Sequence, residues 1–119
     1  MIKAFFTGDI VNTKGTDFLN KDLVDKIRQC DISVCNLEAP IAKNVDTKEV
    51  KVGPTISQNK NIIEQLKGYG FSLFGMANNH IYDYGDNGVK NTISKINKLG
   101  LDHIGAGNFD DAYKSFVFK

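Results

Sequence analysis

Cysteine, histidine and proline occur twice each in this chain of 119 residues, and tryptophan is absent. Two cysteines, Cys30 and Cys35, are too few for a disulfide scaffold. Cys35 falls in an apolar strand pattern and Cys30 at a helix end, so both read as reduced packing thiols rather than a bridge or a metal pair. No charge of one sign dominates: 15 basic residues face 14 acidic ones, for a formal net charge of +1. That balance gives no electrostatic footprint for nucleic acid or an anionic membrane. Long hydrophobic runs are missing too. The apolar stretches are far too short to span a bilayer, and the N-terminus lacks a signal-peptide core. The expectation is a soluble, cytoplasmic chain.

What remains is an ordinary globular composition, 41% apolar and 24% charged. The length suits one domain, residues 1–119, with a core of its own. Ile2 to Thr7 reads as a strand ending at Gly8-Asp9. Asn20 caps a helix from about Lys21 to Gln29, with Leu23, Val24 and Ile27 on one face. Ile32 to Cys35 is the second strand, stopped by Ala39-Pro40. Lys43 to Gly53 lacks a period and reads as an exposed loop or weak hairpin. Ser57 or Asn59 caps a helix carrying Ile62, Ile63 and Leu66, which Gly68 or Gly70 ends.

Phe71 to Phe74 is the third strand. Val89, Ile93, Ile96 and Leu99 place a helix over about Asp86 to Leu99, with Gly100 at its C-cap. Leu101 to Ile104 is the fourth strand, Asp110 to Lys114 one helical turn, and Ser115 to Lys119 a fifth strand. Strands alternating with helices predict an α/β fold, a mostly parallel sheet flanked by helices.

Right-handed crossovers put the ends of parallel strands on one edge, where open α/β sheets bind ligands. Three predicted strand ends carry polar groups: Gly8-Asp9, Asn36-Leu37-Glu38 and Ala77-Asn78-Asn79-His80. Carboxylates and amide carbonyls are hard oxygen ligands suited to Mg²⁺, Mn²⁺ or Fe. Paired metals clamp both oxygens of a phosphoryl displacement, and His80 would then protonate the leaving group. Each residue also has an ordinary structural use. Gly-Asp after a strand is a common turn, and an Asn pair tolerates left-handed backbone. Asp83 and Gly85 fit the start of a helix. Asp102 and His103 alternate, so one points inward, and His103 reads as structural. Gly105-Ala106-Gly107 invites a phosphate-loop reading, but no Gly-x-Gly-x-x-Gly helix follows a strand.

Taken together, Phe6-Thr7-Gly8-Asp9, Asn36-Leu37-Glu38, Ala77-Asn78-Asn79-His80, Asp83-Tyr84-Gly85, Thr92 and Gly105-Ala106-Gly107-Asn108 resemble the capsule-synthesis CapA family. That family belongs to poly-γ-glutamate capsule biosynthesis and is similar to the calcineurin-like metallophosphoesterases. The resemblance implies half of a metallophosphoesterase αββα sandwich. It also implies a divalent metal (Mn, Fe or Mg) held by Asp9, Glu38 and Asn79, and His80 as the catalytic acid. Asn36, Asn78 and Asp83 are neighbours.

The chain departs from the metallophosphoesterase pattern in two ways. Val11 stands where a histidine usually follows the first aspartate, and the later histidine motifs are missing. The expectation is therefore an incomplete domain, inactive alone, whose partners are a missing C-terminal half, a second copy or capsule-synthesis proteins. The alternative is a non-catalytic assembly module that keeps the fold. A small nucleotide-binding α/β domain is a third reading, disfavoured by the missing phosphate loop.

Overall fold

The computed structural model describes residues 1–43 and 46–119. Positions 44 and 45, part of the stretch read as a loop or hairpin, lie outside them. Among the described residues, four strands and four helices follow in the order β1 (Ala4–Ile10), α1 (Lys21–Arg28), β2 (Ile32–Leu37), α2 (Ile62–Tyr69), β3 (Leu73–Gly75), α3 (Gly85–Lys98), β4 (Asp102–Ile104) and α4 (Phe109–Tyr113). All strand pairs are parallel and the sheet order is β1-β2-β3-β4. This is the α/β architecture expected from the alternation of elements.

A sequential order with right-handed crossovers puts the connecting helices on one face of the sheet. Burial agrees. Along β2, Ser33, Cys35 and Leu37 are buried, while Ile32, Val34 and Asn36 are only partly so. The covered face packs Cys35, Leu37 and Phe74 against Ile27, Ile63, Leu66 and Ile96 of the helices. Cys35 is 1% exposed, and burial pushes its thiol up to about 12, so it stays a neutral packing group. On the opposite face Phe6 is 71% exposed.

Local signals explain the helices. Asn20 accepts a hydrogen bond from Leu23 N at 2.9 Å, capping α1. At the end of α2 the expected alternative Gly70, not Gly68, takes the left-handed conformation at φ 105°, and its N–H returns to Leu66 O. The α2 cap is Asn61, which makes no side-chain cap bond. Asn59 stands two residues earlier and accepts from Asn61 N instead. α3 approaches the chain after β2 closely: a Cβ on Gly88 would lie 3.2 Å from Pro40. Thr92, fully buried, clamps the same contact by accepting from Ile41 N and donating to Gly88 O, both at 2.8 Å.

Two expectations need correction. β1 does not end at Gly8-Asp9 but runs through to Ile10. Ser115 to Lys119 is not a fifth strand. It leaves α4 in an extended conformation but pairs with no described strand. β4, with three residues, offers little edge to pair with. The Gly105-Ala106-Gly107 turn is a packing device. A Cβ on Gly105, at φ 87°, would fall 2.7 Å from the Ala77 Cβ, so only glycine lets this turn lie against the chain leaving β3.

Candidate functional site

The C-terminal edge of the sheet gathers polar side chains from three strand ends. Asn36 and Asp9 are register partners across β1 and β2. The pairing contains an irregularity: three steps on β1 from Phe6 to Asp9 match two on β2 from Val34 to Asn36. One extra residue reverses the facing of everything after it. Without the bulge, Asp9 would point to the face opposite Phe6. With it, Asp9 shares the face of Phe6, Val34 and Asn36. The site therefore lies at the lip where the strand ends meet the uncovered face of the sheet.

Asn36 is the hub. Its amide nitrogen donates to Asp9 Oδ1 at 2.6 Å and to Glu38 Oε2 at 2.8 Å. Two carboxylates thus converge on one donor. The Asn36 carbonyl accepts from the Asn78 amide at 3.1 Å, which also donates to Leu37 O at 2.8 Å. Asn78 Oδ1 in turn accepts from His80 N at 3.1 Å. Asn79, the neighbouring amide, is exposed and stands outside this chain of bonds.

His80 is held from the other side. Its Nδ1 lies 2.7 Å from Asp83 Oδ2, and Asp83 is 1% exposed. Asp83 also accepts from Ile56 N at 2.8 Å and forms a salt bridge with Lys51. Burial pushes the Asp83 carboxyl up, but the hydrogen bonds from Lys51, His80 and Ile56 outweigh it and hold it below the ordinary carboxylate range. Asp83 is therefore ionised and only accepts, so His80 Nδ1 carries the proton of that bond. The imidazole is fixed in orientation, and Nε2 is left to take or give a proton. Asp83 both starts the turn into α3 and positions His80.

Sequence reasoning did not find Lys51. Its Nζ lies 3.2 Å from His80 Nδ1 and pairs with Asp83. The segment around it is strapped down by Glu49 N donating to Asp83 O at 2.9 Å. It has no hydrophobic period, and only the tertiary fold brings it to His80. His103, by contrast, is buried as alternation allows, with Asp102 outside. Burial, then the Lys114 charge, pushes its pKa down, and the nearby carboxylates of Asp111 and Asp102 only partly oppose this. It is a neutral core side chain.

The donor set of Asp9, Glu38 and the amides is hard oxygen, which suits Mg²⁺, Mn²⁺ or Fe. The number of donors is small. Among the described residues, no group of three or more His, Cys, Asp or Glu side chains is arranged to hold a metal ion. Asp9 and Glu38 are two carboxylates of the kind a divalent cation takes, short of the donor number such an ion needs. None of the described helices is long and apolar enough to cross a membrane.

Comparison with known proteins supplies the family. Residues 3–119 match the family described as bacterial capsule synthesis protein PGA_cap. The chain is 32% identical over 114 residues to the capsule biosynthesis protein CapA of Bacillus anthracis, covering 93% of this chain and 28% of that protein. It is 30% identical over 129 residues to the PGA biosynthesis protein CapA of Bacillus subtilis (strain 168), covering 100% of this chain and 34% of that protein. The chain thus spans about a third of the length of these curated relatives. With nearly its whole length matched, the chain belongs to the bacterial capsule synthesis PGA_cap family.

Proposed function

We propose that this chain carries one part of a divalent-metal, phosphoesterase-type site in a protein of poly-γ-glutamate capsule biosynthesis, and that it is inactive by itself. The observation that carries the reading is the convergence of Asp9 and Glu38 on Asn36, one hydrogen bond away from the Asn78–His80–Asp83 relay. Asp9 and Glu38 would hold the metal, with Asn79 the amide ligand that the family resemblance implies, although its side chain stands outside the hydrogen-bonded cluster. When bound, such a metal polarises a phosphoryl oxygen and lowers the pKa of a coordinated water.

The chain's own residues then have defined tasks. Asn36 keeps both carboxylates turned to the same point. Asn78 fixes the backbone at His80. Asp83 holds the imidazole in the tautomer whose Nε2 can pass a proton to a leaving oxygen. Lys51 adds positive charge beside the dyad, of the sign that favours an anionic substrate.

The site opens on the uncovered sheet face, and the curated relatives are about three times as long as the matched segment. Further ligands would come from the chain that covers that face in a longer protein, or from a second copy. The alternative, a non-catalytic assembly module, is favoured by the shortage of acidic and histidine ligands.

A hydrolysis assay with mono- and diester phosphates, with and without Mn²⁺, tests the incompleteness. The expected result is no turnover above buffer. Turnover that disappears in His80→Ala would show that a second copy completes the site. Turnover that survives His80→Ala and Asp9→Ala would remove these residues from the chemistry.

A further inference from the structure

Gln58 lies between the two strand ends that carry Asp9 and Glu38, and it is bonded to both. Its side-chain amide donates to Ile10 O at 2.7 Å, and its side-chain carbonyl accepts from Asn12 N at 2.9 Å. Its own backbone N–H donates to Pro40 O at 2.9 Å. Ile10 follows Asp9 directly, and Pro40 stands two residues after Glu38. One residue, 5% exposed, thus grips the chain beyond each carboxylate.

The strand pairing shows why such a grip is needed. After the bulge, β1 keeps two register pairs with β2, Asp9 with Asn36 and Ile10 with Leu37. The bond that closes this stretch, Glu38 N to Ile10 O, is long at 3.3 Å. That is a weak hold on the strand end whose facing the bulge has just reversed. In a continued parallel ladder one residue bonds the groups on either side of its partner. Glu38 would therefore take Ile10 O with its N–H and Asn12 N with its carbonyl, flanking Val11. The Asn12 N–H goes to Gln58 instead. Gln58 also reinforces the Ile10 bond, and Asn59 N continues the contact by donating to Asn12 O at 2.8 Å. A carboxamide suits this place because it offers a donor and an acceptor without charge.

We propose that Gln58 is a positioning residue for Asp9 and Glu38: it fixes the ends of β1 and β2 against each other so that both carboxylates reach Asn36 together. Its bearing on metal binding rests on the site proposed above. The geometry it sets does not.

The test reads the Asn36 side chain in the isotope-labelled chain without metal. Its amide nitrogen donates to Asp9 and to Glu38, so both of its proton signals are expected downfield and slow to exchange. In Gln58→Met, similar in length but without the hydrogen-bonding groups, at least one of the two is expected to move to the position of an exposed asparagine and to exchange faster. Gln58→Asn, one methylene shorter and still polar, is expected to do the same, and it serves if the methionine variant does not fold. Ile27→Val, in the covered core, is the control: it lowers stability and leaves both Asn36 signals in place. Mn²⁺ broadening at Asp9 and Glu38 is expected to need about ten times more Mn²⁺ in the Gln58 variants than in wild type, the scale for losing a residue that orients metal ligands. Asn36 signals unchanged in the Gln58 variants, or moved as much by Ile27→Val, would overturn the inference, and so would a wild-type response to Mn²⁺ that the Gln58 variants leave untouched. Wild type without Mn²⁺ broadening at this edge, but with the expected Asn36 changes, would remove the metal reading and support the positioning role.

Discussion

Asp83→Ala is expected to lower the stability of the chain by about 3 kcal/mol, the scale for removing one partner of a buried ion pair. Asp83 is 1% exposed and serves Lys51, His80 and the Ile56 amide together. Deleting it leaves three donors facing a void. Lys51, at 26% exposure, can turn to water. The Ile56 N–H and the imidazole regain water less readily, so the loss stays large. Chemical denaturation measures the loss, and proteolysis should newly cut the segment around Lys51.

The acid limb of stability carries the same signature. The folded Asp83 carboxyl sits below its ordinary value, so the unfolded chain takes up a proton first as pH falls. Its contribution is complete above about pH 4 and is lost below it. His103 acts at higher pH with the same sign. Its folded pKa is depressed by burial, so its contribution is present above about pH 6.5 and is lost as pH falls through the depressed value. Asp83→Asn should flatten the lower step and leave the upper one. Equal stability of wild type and Asp83→Asn at pH 7 would contradict the role given to this carboxylate.

The second large effect is association. Phe6, at 71% exposure, and the half-buried Ile32, Val34 and Ile104 form an apolar sheet face with no helix over it. Contiguous apolar area beyond a few hundred Å² is rare on soluble monomers and marks an interface. The isolated chain is expected to self-associate with rising concentration and to bind a dye that reports exposed apolar surface. Phe6→Lys should shift the equilibrium toward monomer without unfolding the chain, because Phe6 contributes little to the covered core. Size-exclusion chromatography with light scattering decides it. A single monomeric peak at all concentrations, with no dye binding, would mean that the face is not available for packing.

Much of the fold was legible because it is written locally. The Asn20 cap and the spacing of Val89, Ile93 and Ile96 specify α1 and α3 from neighbouring residues alone. What was not legible depends on pairing between distant segments. The end of β1 was misplaced because Gly8-Asp9 reads as a turn, and only the bulged pairing with β2 carries the strand to Ile10. That same bulge decides which way Asp9 faces. Along β1, Phe5 packs edge-on against Phe71 while its neighbour Phe6 takes the exposed place. A strand pattern gives alternation but not its phase.

The site shows the same division. The three strand ends could be read from sequence, since the crossover rule brings them to one edge. Which of two adjacent asparagines turns toward Asn36 could not, because that depends on the backbone of the turn. Asn78 joins the hydrogen-bond chain and Asn79 faces outward. Lys51 was invisible because its segment has no period, and its partner Asp83 is 32 residues away.

The proposed divalent-metal site of Asp9 and Glu38 lies at the C-terminal edge of the sheet. Mn²⁺ titrated into the isotope-labelled chain tests it directly, because the ion broadens the amide signals of residues close to it. Broadening is expected first at Asp9, Asn36 to Glu38 and Asn78 to His80, at sub-stoichiometric Mn²⁺, and is expected to be lost in Asp9→Ala/Glu38→Ala. Broadening that begins elsewhere, at surface carboxylates such as Asp22, Asp25 or Asp110, or that persists unchanged in the double variant, would contradict it.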